Sequence, residues 1–449
     1  MFFSTNVYSH ELSLDDVIIS VKERFPLILA LEQQLIDAEG SRKSAQGEFD
    51  LKWKSKATIL QPGYYRTQRF ESTLEKPLEF MGMNVYGGYR QGDGKFAIYD
   101  EKYETLNGGE IHSGFGLPLL RNREIDERRA SLKSADIELN QASQDVELKK
   151  IYYVLKASEK YWTWVAYGQR EKIARDLLGN AENRIYGLRE RVKQGGLANI
   201  ELVDNERSVL QRKEEAVQIA RLFLQSSLEL SLFLRDENGN PIVHGKTQLP
   251  KIHKGRFPKN FRLDKLLSKA YQNRPELKSL ELEKKLIDVQ LQLSENQLEP
   301  KLDVFMELSK DLGSGSNTNE QAELESGLVI EIPLQRRKAE GKLISNNAKL
   351  SKLSREIEFT KNKIKAEVQD AIFGLQNAAA QVEIIREELK LARQVESGER
   401  ERFKAGESTI LLVNLREVAT ADTAKREVTA LAEYQMEEAR LKAALGESW

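Results

Sequence analysis

The sequence contains no cysteine, which excludes disulfides, thiolate metal sites and, on the chain as written, an N-terminal lipid-bearing cysteine. It has no run of 18 apolar residues, so no transmembrane helix is expected. Met1–Ser4 lacks the basic region and long apolar core of a signal peptide, which indicates either a cytosolic chain or a processed form with an added methionine. Membrane strands would not change such a composition, because only alternate residues face lipid. The composition therefore leaves membrane insertion open.

An excess of charge of one sign is also missing. The 69 basic and 70 acidic residues leave a net charge of −1, which gives no overall field directed at nucleic acid or acidic lipid. Residues 88–95 have the wrong glycine spacing for a phosphate loop. The four histidines are His10, His112, His244 and His253, and their spacing does not match that of metal ligands. We find no catalytic constellation, so we predict no enzyme, no cofactor, no metal site and no nucleic-acid partner.

What the sequence does contain is a long heptad pattern between Leu343 and Val395. One apolar series falls seven residues apart, at Leu343, Leu350, Ile357, Ile364, Ala371, Ala378, Ile385 and Ala392. A second series joins it four residues later, at Val368, Leu375, Val382 and Leu389. Sustained heptads with charged residues between them predict a coiled coil. A helix of about 70 residues would be about 105 Å long, far more than a globular domain needs.

Five landmarks recur in the same order and predict a tandem duplication. They are a Leu…Pro helix opening, strand-like sequence, a segment containing Pro-Leu, a glycine turn and an Ile-x-x-Val pair. In the first half they are Leu14…Pro26, Phe49–Trp53, Gly116–Arg123, Val192–Gly196 and Ile200…Val203. In the second half they are Leu263…Pro275, Leu298–Leu302, Glu331–Lys338, Phe403–Gly406 and Ile410…Val413.

These landmarks set the predicted domain boundaries. The first repeat covers residues 1–234, with a helix at 13–48, a β segment at 51–119, a long helix at 121–194 and a helix at 200–234. An inter-repeat linker covers residues 235–261. The second repeat covers residues 262–449, with a helix at 262–298, a β hairpin at 301–333, a long helix at 335–404 and a helix at 410–446.

The helix lengths predict an arrangement. Each short helix is about 54 Å long, so two of them end to end match one long helix of about 105 Å. The strands would fold the first short helix back along the long one, and the glycine turn would do the same for the last. We therefore expect a rod with a β end, a waist at the linker and a helical-hairpin tip.

The β segments alternate as one-sided burial requires. Leu302, Val304, Met306 and Leu308 share one face, and Leu324, Leu328, Ile330 and Ile332 do likewise, with the polar loop Gly313–Asn319 between them. An additional strand pair is expected around Gly82. The candidates for aromatic residues at a membrane interface, or alternatively for ordinary strand aromatics, are Trp53, Tyr64, Tyr65, Tyr86 and Tyr89.

The strand count predicts oligomerisation. Four to six strands cannot close a membrane barrel, whose minimum is about eight. An open sheet edge is not tolerated in lipid. If the strands span a bilayer, several chains must share one barrel.

The duplicated openings, the strand-Pro-Leu segments before each long helix and the glycine turns followed by Ile-x-x-Val resemble those of the TolC-like outer-membrane efflux proteins, from about Leu12 to Gly446. The resemblance implies a mainly α fold with a membrane β-barrel portion. It implies a homotrimer with one barrel shared between three chains and a coiled-coil α-barrel tunnel reaching into the periplasm. It also implies export of drugs, toxins or metal ions as a passive duct, together with a periplasmic adaptor protein, an inner-membrane pump and outer-membrane lipid.

The resemblance also assigns roles to the two turns. Gly195, Gly196 and Leu197, with Ala405, Gly406 and Glu407, match the family's adaptor-docking tips; the alternative is simple helix capping by glycine. The family's entrance is often ringed by aspartates six and nine residues after the turn glycine. Here those positions are Leu412 and Leu415, with Leu202 and Asn205 as the first-repeat equivalents.

This departure favours an apolar constriction at the periplasmic entrance over an acidic gate; the alternative is that the leucines are coiled-coil core. Further departures from the family are the longer first β segment and the missing signal peptide. Two other functions explain less of the sequence. A soluble coiled-coil scaffold explains the heptads but not the alternating strands, and a periplasmic adaptor would need lipoyl-like and β-barrel domains beside one hairpin.

Overall fold

The structure is a computed structural model that describes residues 11–61, 63–252, 261–315, 321–447 and 449. His10, His253, the linker proline Pro258 and most of the predicted polar loop at residues 313–319 lie outside the described residues. The chain divides into two compact units. The helical unit comprises Met1–Gln33, Gln144–Lys278 and Phe359–Trp449, and the sheet unit comprises Gln34–Ser143 and Ser279–Glu358.

The helices differ from the predicted ones mainly at prolines. They are α1 (Leu14–Arg24), α2 (Pro26–Gln46), α3 (Glu127–Lys193), α4 (Asn199–Ser231), α5 (Leu263–Asn273), α6 (Pro275–Asn296), α7 (Arg337–Lys404) and α8 (Ile410–Ala444). The single helices predicted at 13–48 and 262–298 are therefore wrong, since each is a pair. Phe25 and Arg274 have extended ψ values of 121° and 118°, because a residue that precedes proline is excluded from the α region.

The long helices begin later than predicted. The helix expected from residue 121 starts at Glu127, and the one expected from 335 starts at Arg337. Before α3 the backbone is held by other segments, since the Leu119 N–H donates to the Leu302 carbonyl at 2.7 Å. Asn122 has a φ of 71°, which no α-helical residue adopts. Asp126 then accepts a hydrogen bond from the Arg129 N–H at 2.8 Å, as an N-cap residue does.

The sheet unit holds one six-stranded antiparallel sheet. Its strands are β1 (Lys52–Leu60), β2 (Thr67–Pro77), β3 (Asn84–Gly94), β4 (Glu110–Pro118), β5 (Lys301–Asp311) and β6 (Glu323–Glu331), paired in that order. The predicted additional strand pair corresponds to β2 and β3, in which Pro77 lies opposite Asn84. The sequence predicted four to six strands, and the described residues contain six.

The strand register separates the side chains into two faces. A line of opposite residues crosses the sheet through Lys54, Thr73, Gly88, His112, Ser309 and Glu323. We call this side the charged face; it also carries Arg90, Glu110, Glu307 and Glu325. The next line runs through Trp53, Leu74, Gly87, Ser113, Leu308 and Leu324. We call this side the apolar face; it also carries Ile59, Phe70, Ile111, Met306, Leu328 and Ile330.

The heptad pattern of α7 is confirmed as a buried stripe. Ile364, Ala371 and Ala378 of the first series are buried, and so are all four residues of the second: Val368, Leu375, Val382 and Leu389. Apart from Leu389, these residues pack with Leu431 and Tyr434 of α8 in one hydrophobic core. A second core of the helical unit surrounds Trp164 of α3, which is 0% exposed and lies among Val17, Phe223 and Leu230.

Among the described residues, no helix combines the length and the apolar character that crossing a membrane requires.

Candidate functional site

The two glycine turns close the helical hairpins α3–α4 and α7–α8. Gly195 and Gly406 have φ values of 70° and 82°, the left-handed conformation that glycine adopts without strain. Beyond them, the Gly196 N–H donates to the Arg191 carbonyl at 2.9 Å, and the Glu407 N–H donates to the Arg402 carbonyl at 2.9 Å. These are the capping bonds of a Schellman turn, so the capping interpretation is confirmed. The docking interpretation stays a prediction.

The two turns lie beside each other. A small core, which we call the tip core, joins them through Leu188 of α3, Leu197, Leu202, Phe403, and Ile410 and Val413 of α8. The Glu201 carboxylate accepts a hydrogen bond from the Ile410 N–H at 3.5 Å, which places a negative charge at the N-terminus of α8. The Arg191 guanidinium lies 5.4 Å from the centre of the Phe403 ring. Each hairpin therefore holds the other's turn in place, and both turns present their glycines together.

The glycine requirement at the second turn can be tested. Gly406→Ala is expected to lower the local free energy of unfolding by about 1–2 kcal/mol, because a Cβ strains the left-handed conformation. Gly398 is the matched control, since it lies inside α7 with open space around its Cα. Gly398→Ala is expected to stabilise the helix by about 1 kcal/mol. Hydrogen exchange of the α7 and α8 amides measures both changes, and equal effects of the two variants would contradict the assignment.

The predicted entrance residues separate into two environments. Leu202 packs in the tip core, and Asn205 is fully buried, with its amide nitrogen donating to the Ala181 carbonyl at 3.5 Å. Leu412 and Leu415 of α8 are instead 37% and 55% exposed. The alternative that these two leucines are core residues does not hold within the single chain.

A buried polar network lies near the tip core, and sequence reasoning missed it. Glu417 of α8 is 2% exposed, and three arginines from three other helices reach its carboxylate. Arg212 of α4 donates to Oε2 at 3.0 Å, Arg400 of α7 lies 2.9 Å from Oε1, and Arg184 of α3 also bonds Oε1. Asn414 adds its Oδ1, which accepts from Arg184 at 3.0 Å and from Arg212 at 3.2 Å. We call these five residues the Glu417 network.

The electrostatics of the network depend on one carboxylate. Burial lowers the pKa of the Arg184 guanidinium, against the opposing effect of the Glu417 charge. Arg212 is itself 3% exposed and also donates to the Leu177 carbonyl at 3.0 Å, whereas Arg400 has a second acid, Glu396, at 2.7 Å. Glu417 of α8 is thus the anion for a cluster of cations contributed by the other three hairpin helices, α3, α4 and α7. The sequence did contain a signal, since Ile410, Val413, Glu417 and Ala421 follow the spacing of a buried stripe.

On the sheet, the charged face holds a second cluster of polar side chains. Arg90 of β3 donates to Glu110 of β4 at 2.7 Å and lies 3.2 Å from Glu307 of β5. The Tyr86 hydroxyl donates to the same Glu307 at 2.8 Å. His112 is 3% exposed and lies 3.9 Å from this carboxylate. Among the described residues, no group of acidic and histidine side chains has the arrangement of a metal site.

The five predicted interface aromatics do not share one position. Trp53 lies on the apolar face, is 75% exposed and donates from Nε1 to the Ser72 hydroxyl at 2.7 Å. Tyr64 and Tyr65 lie between β1 and β2 with their ring centres 5.0 Å apart, and the Lys95 amine lies 3.5 Å from the centre of the Tyr64 ring. Tyr89 is on the same face as Trp53 and donates to the Gly108 carbonyl at 3.2 Å. Tyr86 instead belongs to the charged face.

These features define a class of protein: helical hairpins with paired tips joined in one chain to a two-faced antiparallel sheet, the fold of outer-membrane channels. Solved structures share it along nearly the whole chain. The outer membrane protein VceC of Vibrio cholerae matches with 14% identity, covering 96% of this chain and 96% of that chain, at a TM-score of 0.64. The open state of the Neisseria gonorrhoeae MtrE channel matches with 11% identity, covering 100% of this chain and 94% of that chain, at a TM-score of 0.65. The outer-membrane channel OprN matches with 13% identity, covering 96% of this chain and 89% of that chain, at a TM-score of 0.63.

The sequence of the second half matches a family model. Residues 266–447 match the model described as Outer membrane efflux protein, which confirms the resemblance to the TolC-like proteins. This is a family of transport channels rather than of enzymes. No curated protein matches the sequence.

Proposed function

We propose that the protein is the outer-membrane channel and periplasmic duct of a tripartite efflux system, a passive exit route for cargo driven by an inner-membrane pump. The observation that carries this proposal is the sheet, in which every strand alternates between the charged face and the apolar face. A membrane barrel needs this alternation, because one face meets lipid and the other meets the aqueous lumen. A soluble scaffold or a periplasmic adaptor has no use for such a sheet.

The six strands support a shared barrel. Six strands are fewer than the eight or so that the smallest membrane barrel needs, whereas three copies of the sheet give 18 strands. We infer a homotrimer in which the three sheets form one barrel. Trp53, Tyr64, Tyr65 and Tyr89 are proposed to contact the lipid headgroups, and Tyr86 to face the lumen with the charged residues.

The helical unit supports a tunnel made from several chains. Val203, Leu210, Val217 and Leu224 of α4 fall seven residues apart and are 47–67% exposed. On α7, Phe359, Phe373, Ile384 and Leu391 are likewise exposed apolar residues. Apolar side chains that recur along a helix and stay exposed in the described part of the chain are suited to pack against helices of neighbouring chains. We infer that the α-barrel and the tandem repeat of the family are formed here, with repeats at residues 1–234 and 262–449.

The tips and the entrance have proposed roles within this channel. The paired turns at Gly195–Leu197 and Ala405–Glu407 offer glycine backbone to the hairpin of a periplasmic adaptor. Leu412 and Leu415 are proposed to form an apolar constriction at the entrance, which closes by excluding water. Leu202 and Asn205 support these positions from within the chain.

The central experiment is the protein mass of the detergent-extracted complex by light scattering, followed by conductance in planar bilayers. Three chains of 51.3 kDa should give 3 × 51.3 = 153.9 kDa, with channel activity in the bilayer. A monomer that stays dispersed without detergent and does not conduct would overturn the proposal.

The same preparation tests the proposed entrance and the proposed docking tips. Leu412→Ser with Leu415→Ser should raise the conductance, and a photo-crosslinker at Glu407 should capture a periplasmic protein in cells, whereas one at Val243 in the linker should not.

A further inference from the structure

The loop that joins β3 to β4 covers residues 95–109 and lies at one end of the sheet. We call it the β3–β4 loop, and it contains a 3₁₀ helix at Ile98–Tyr103. Because α3 follows the last residue of β4, a loop before the first residue of β4 lies at the opposite end of that strand. In the proposed channel, this end of the sheet is the outer mouth of the barrel.

The β3–β4 loop folds back over the charged face of the sheet. Arg69 of β2 lies four residues from Thr73 and opposite Gly92 of β3, so Arg69 and Gly92 both belong to this face. A Cβ at Gly92 would lie only 1.8 Å from the Tyr103 carbonyl oxygen, so the loop backbone fills the space that a side chain would need. Glycine permits this close approach of two backbone segments. The loop therefore crosses the charged face and does not simply extend beyond the end of the sheet.

Hydrogen bonds fix the place of this crossing. The Thr105 N–H donates to the Gly92 carbonyl at 3.2 Å, and the Gly92 N–H donates to the Thr105 hydroxyl at 3.1 Å. One residue further along, the Leu106 N–H donates to the Asp311 carboxylate at 2.9 Å. The loop is thus tied to β3 on one side and to β5 on the other.

Arg69 holds the loop from the sheet. Its guanidinium donates to the Asp100 carboxylate at 2.8 Å, and its central carbon lies 4.1 Å from the centre of the Tyr103 ring. The same carbon lies 5.3 Å from the centre of the Phe96 ring. A guanidinium is suited to this place, because it pairs with a carboxylate and contacts aromatic rings at the same time. One side chain of the charged face therefore positions three residues of the loop.

The two sides of the loop differ in exposure. Phe96 and Ala97 are 8% and 4% exposed, whereas Ile98 and Tyr99 are 82% and 80% exposed. Since the buried pair packs on the side of the sheet, the exposed pair lies on the side turned away from it. Two large side chains therefore border the space in front of the charged face.

We propose that the β3–β4 loop lies inside the outer mouth of the barrel and sets the largest molecule that leaves the channel, with Arg69 as its positioning residue. This inference rests on the proposed function, because the charged face lines a lumen only in that barrel. A loop folded inward narrows a membrane barrel whose wall alone would leave a wide aqueous channel. Three chains place three such loops around the axis, each with Ile98 and Tyr99 on its inner side.

A loop that only stabilises the sheet is the competing interpretation. It would need the same contacts, but the passage of large molecules would not depend on it. A reporter cysteine below the loop separates the two, because the chain has no cysteine of its own. Val329 is a suitable position, since it lies opposite Asp303 on the charged face of β6 and is 43% exposed. It is near the end of β6 that leads to α7, so a reagent from the outer mouth passes the β3–β4 loop first.

The experiment compares two maleimide reagents added to the outside of intact cells that carry Val329→Cys. One reagent is small, and the other is attached to a polyethylene glycol chain. With the loop intact, the small reagent should label the reporter quickly and the large one slowly. Adding Arg69→Ala should raise the labelling rate of the large reagent by about tenfold, since the loss of an ion pair and of cation–π contacts shifts a local equilibrium by about this factor. The rate of the small reagent should not change.

Three further variants, each combined with Val329→Cys, identify the cause. Gly92→Ala keeps Arg69 but places a Cβ against the Tyr103 carbonyl, so it should displace the loop and speed the large reagent as well. Arg69→Lys should give an intermediate rate, because lysine keeps a charge for Asp100 without the planar guanidinium. Arg66→Ala is the matched control and should change neither rate. Arg66 is an exposed arginine at the same end of β2, and the carbonyl with which it accepts from the Lys95 N–H is kept.

The mass of each variant is measured first, so that only assembled trimers are compared. If the large reagent labels the reporter equally fast with the intact loop, with Arg69→Ala and with Gly92→Ala, the proposal is overturned and the loop only stabilises the sheet. A protein of monomer mass would overturn the proposed function instead. So would trimers in which even the small reagent fails to reach the reporter, because the charged face would then not line an open lumen.

Discussion

Replacing Glu417 with leucine is expected to lower the free energy of unfolding of the helical unit by about 3–5 kcal/mol. The substitution removes the anion that Arg184 and Arg212 contact. Arg212 is buried, and among the described residues Glu417 is its only acidic partner within ion-pair distance. A buried guanidinium without a counter-charge is costly to keep out of water. Denaturant unfolding of the detergent-solubilised protein, followed by fluorescence from a probe on α8, measures the change.

Two variants separate the charge from its position. Glu417→Gln keeps a hydrogen-bond acceptor at the same place and should cost less, about 1–3 kcal/mol. Glu396→Gln removes only the outer acid of Arg400, in an i,i+4 pair, and should cost about 0.5 kcal/mol or less. If the free energy of unfolding of Glu417→Leu lies within 1 kcal/mol of that of the unmodified protein, the network contributes structural specificity rather than stability.

Replacing Trp164 with alanine is expected to cost about 3–5 kcal/mol, because a large buried side chain leaves a cavity that the surrounding helices cannot fill. The indole also loses its hydrogen bond to the Ser227 hydroxyl at 3.1 Å and its stacking with Phe223, whose ring centre is 6.3 Å away. The midpoint and slope of the same denaturant transition measure the loss.

The control for this prediction lies on the same helix. Tyr186 is 76% exposed, so Tyr186→Ala should change the free energy of unfolding of the dissociated chain by no more than about 0.5 kcal/mol. Trp164→Phe should fall between the two, because it retains most of the volume and loses the hydrogen bond. An equal loss for Trp164→Ala and Tyr186→Ala would show that burial in this core does not govern the stability of α3.

The Glu417 network bears on the proposed entrance as well. It connects α3, α4, α7 and α8 through one carboxylate, close in sequence to Leu412 and Leu415 of α8. Separating the hairpin α7–α8 from α3–α4 would expose or unpair these guanidiniums. The proposed constriction therefore lies on hairpins that the Glu417 ion pairs connect within the chain. The Glu417 variants measure the strength of this connection independently of adaptor docking.

Local patterns were enough to predict several parts of this protein. The seven-residue repeat determined which face of α7 is buried, because a helix repeats its faces at nearly that interval. Alternation determined the two faces of the strands, since side chains of a strand alternate by geometry. The turn glycines determined the ends of the long helices, because few other residues adopt a positive φ there. The two Pro-induced breaks were equally local, but the single helices predicted over 13–48 and 262–298 overlooked the effect of Pro26 and Pro275 on the preceding residue.

Only the tertiary structure decided the rest. The Glu417 network joins residues 184, 212, 400, 414 and 417, and a spacing pattern within one helix does not reveal which distant helices supply its cations. Likewise, the sequence contains the lysines of β1 and the glutamates of β6, but strand order alone makes these two strands the open edges. Local geometry depends on neighbouring residues along the chain, whereas ion pairs and sheet edges depend on which segments come together, and that is a property of the whole fold.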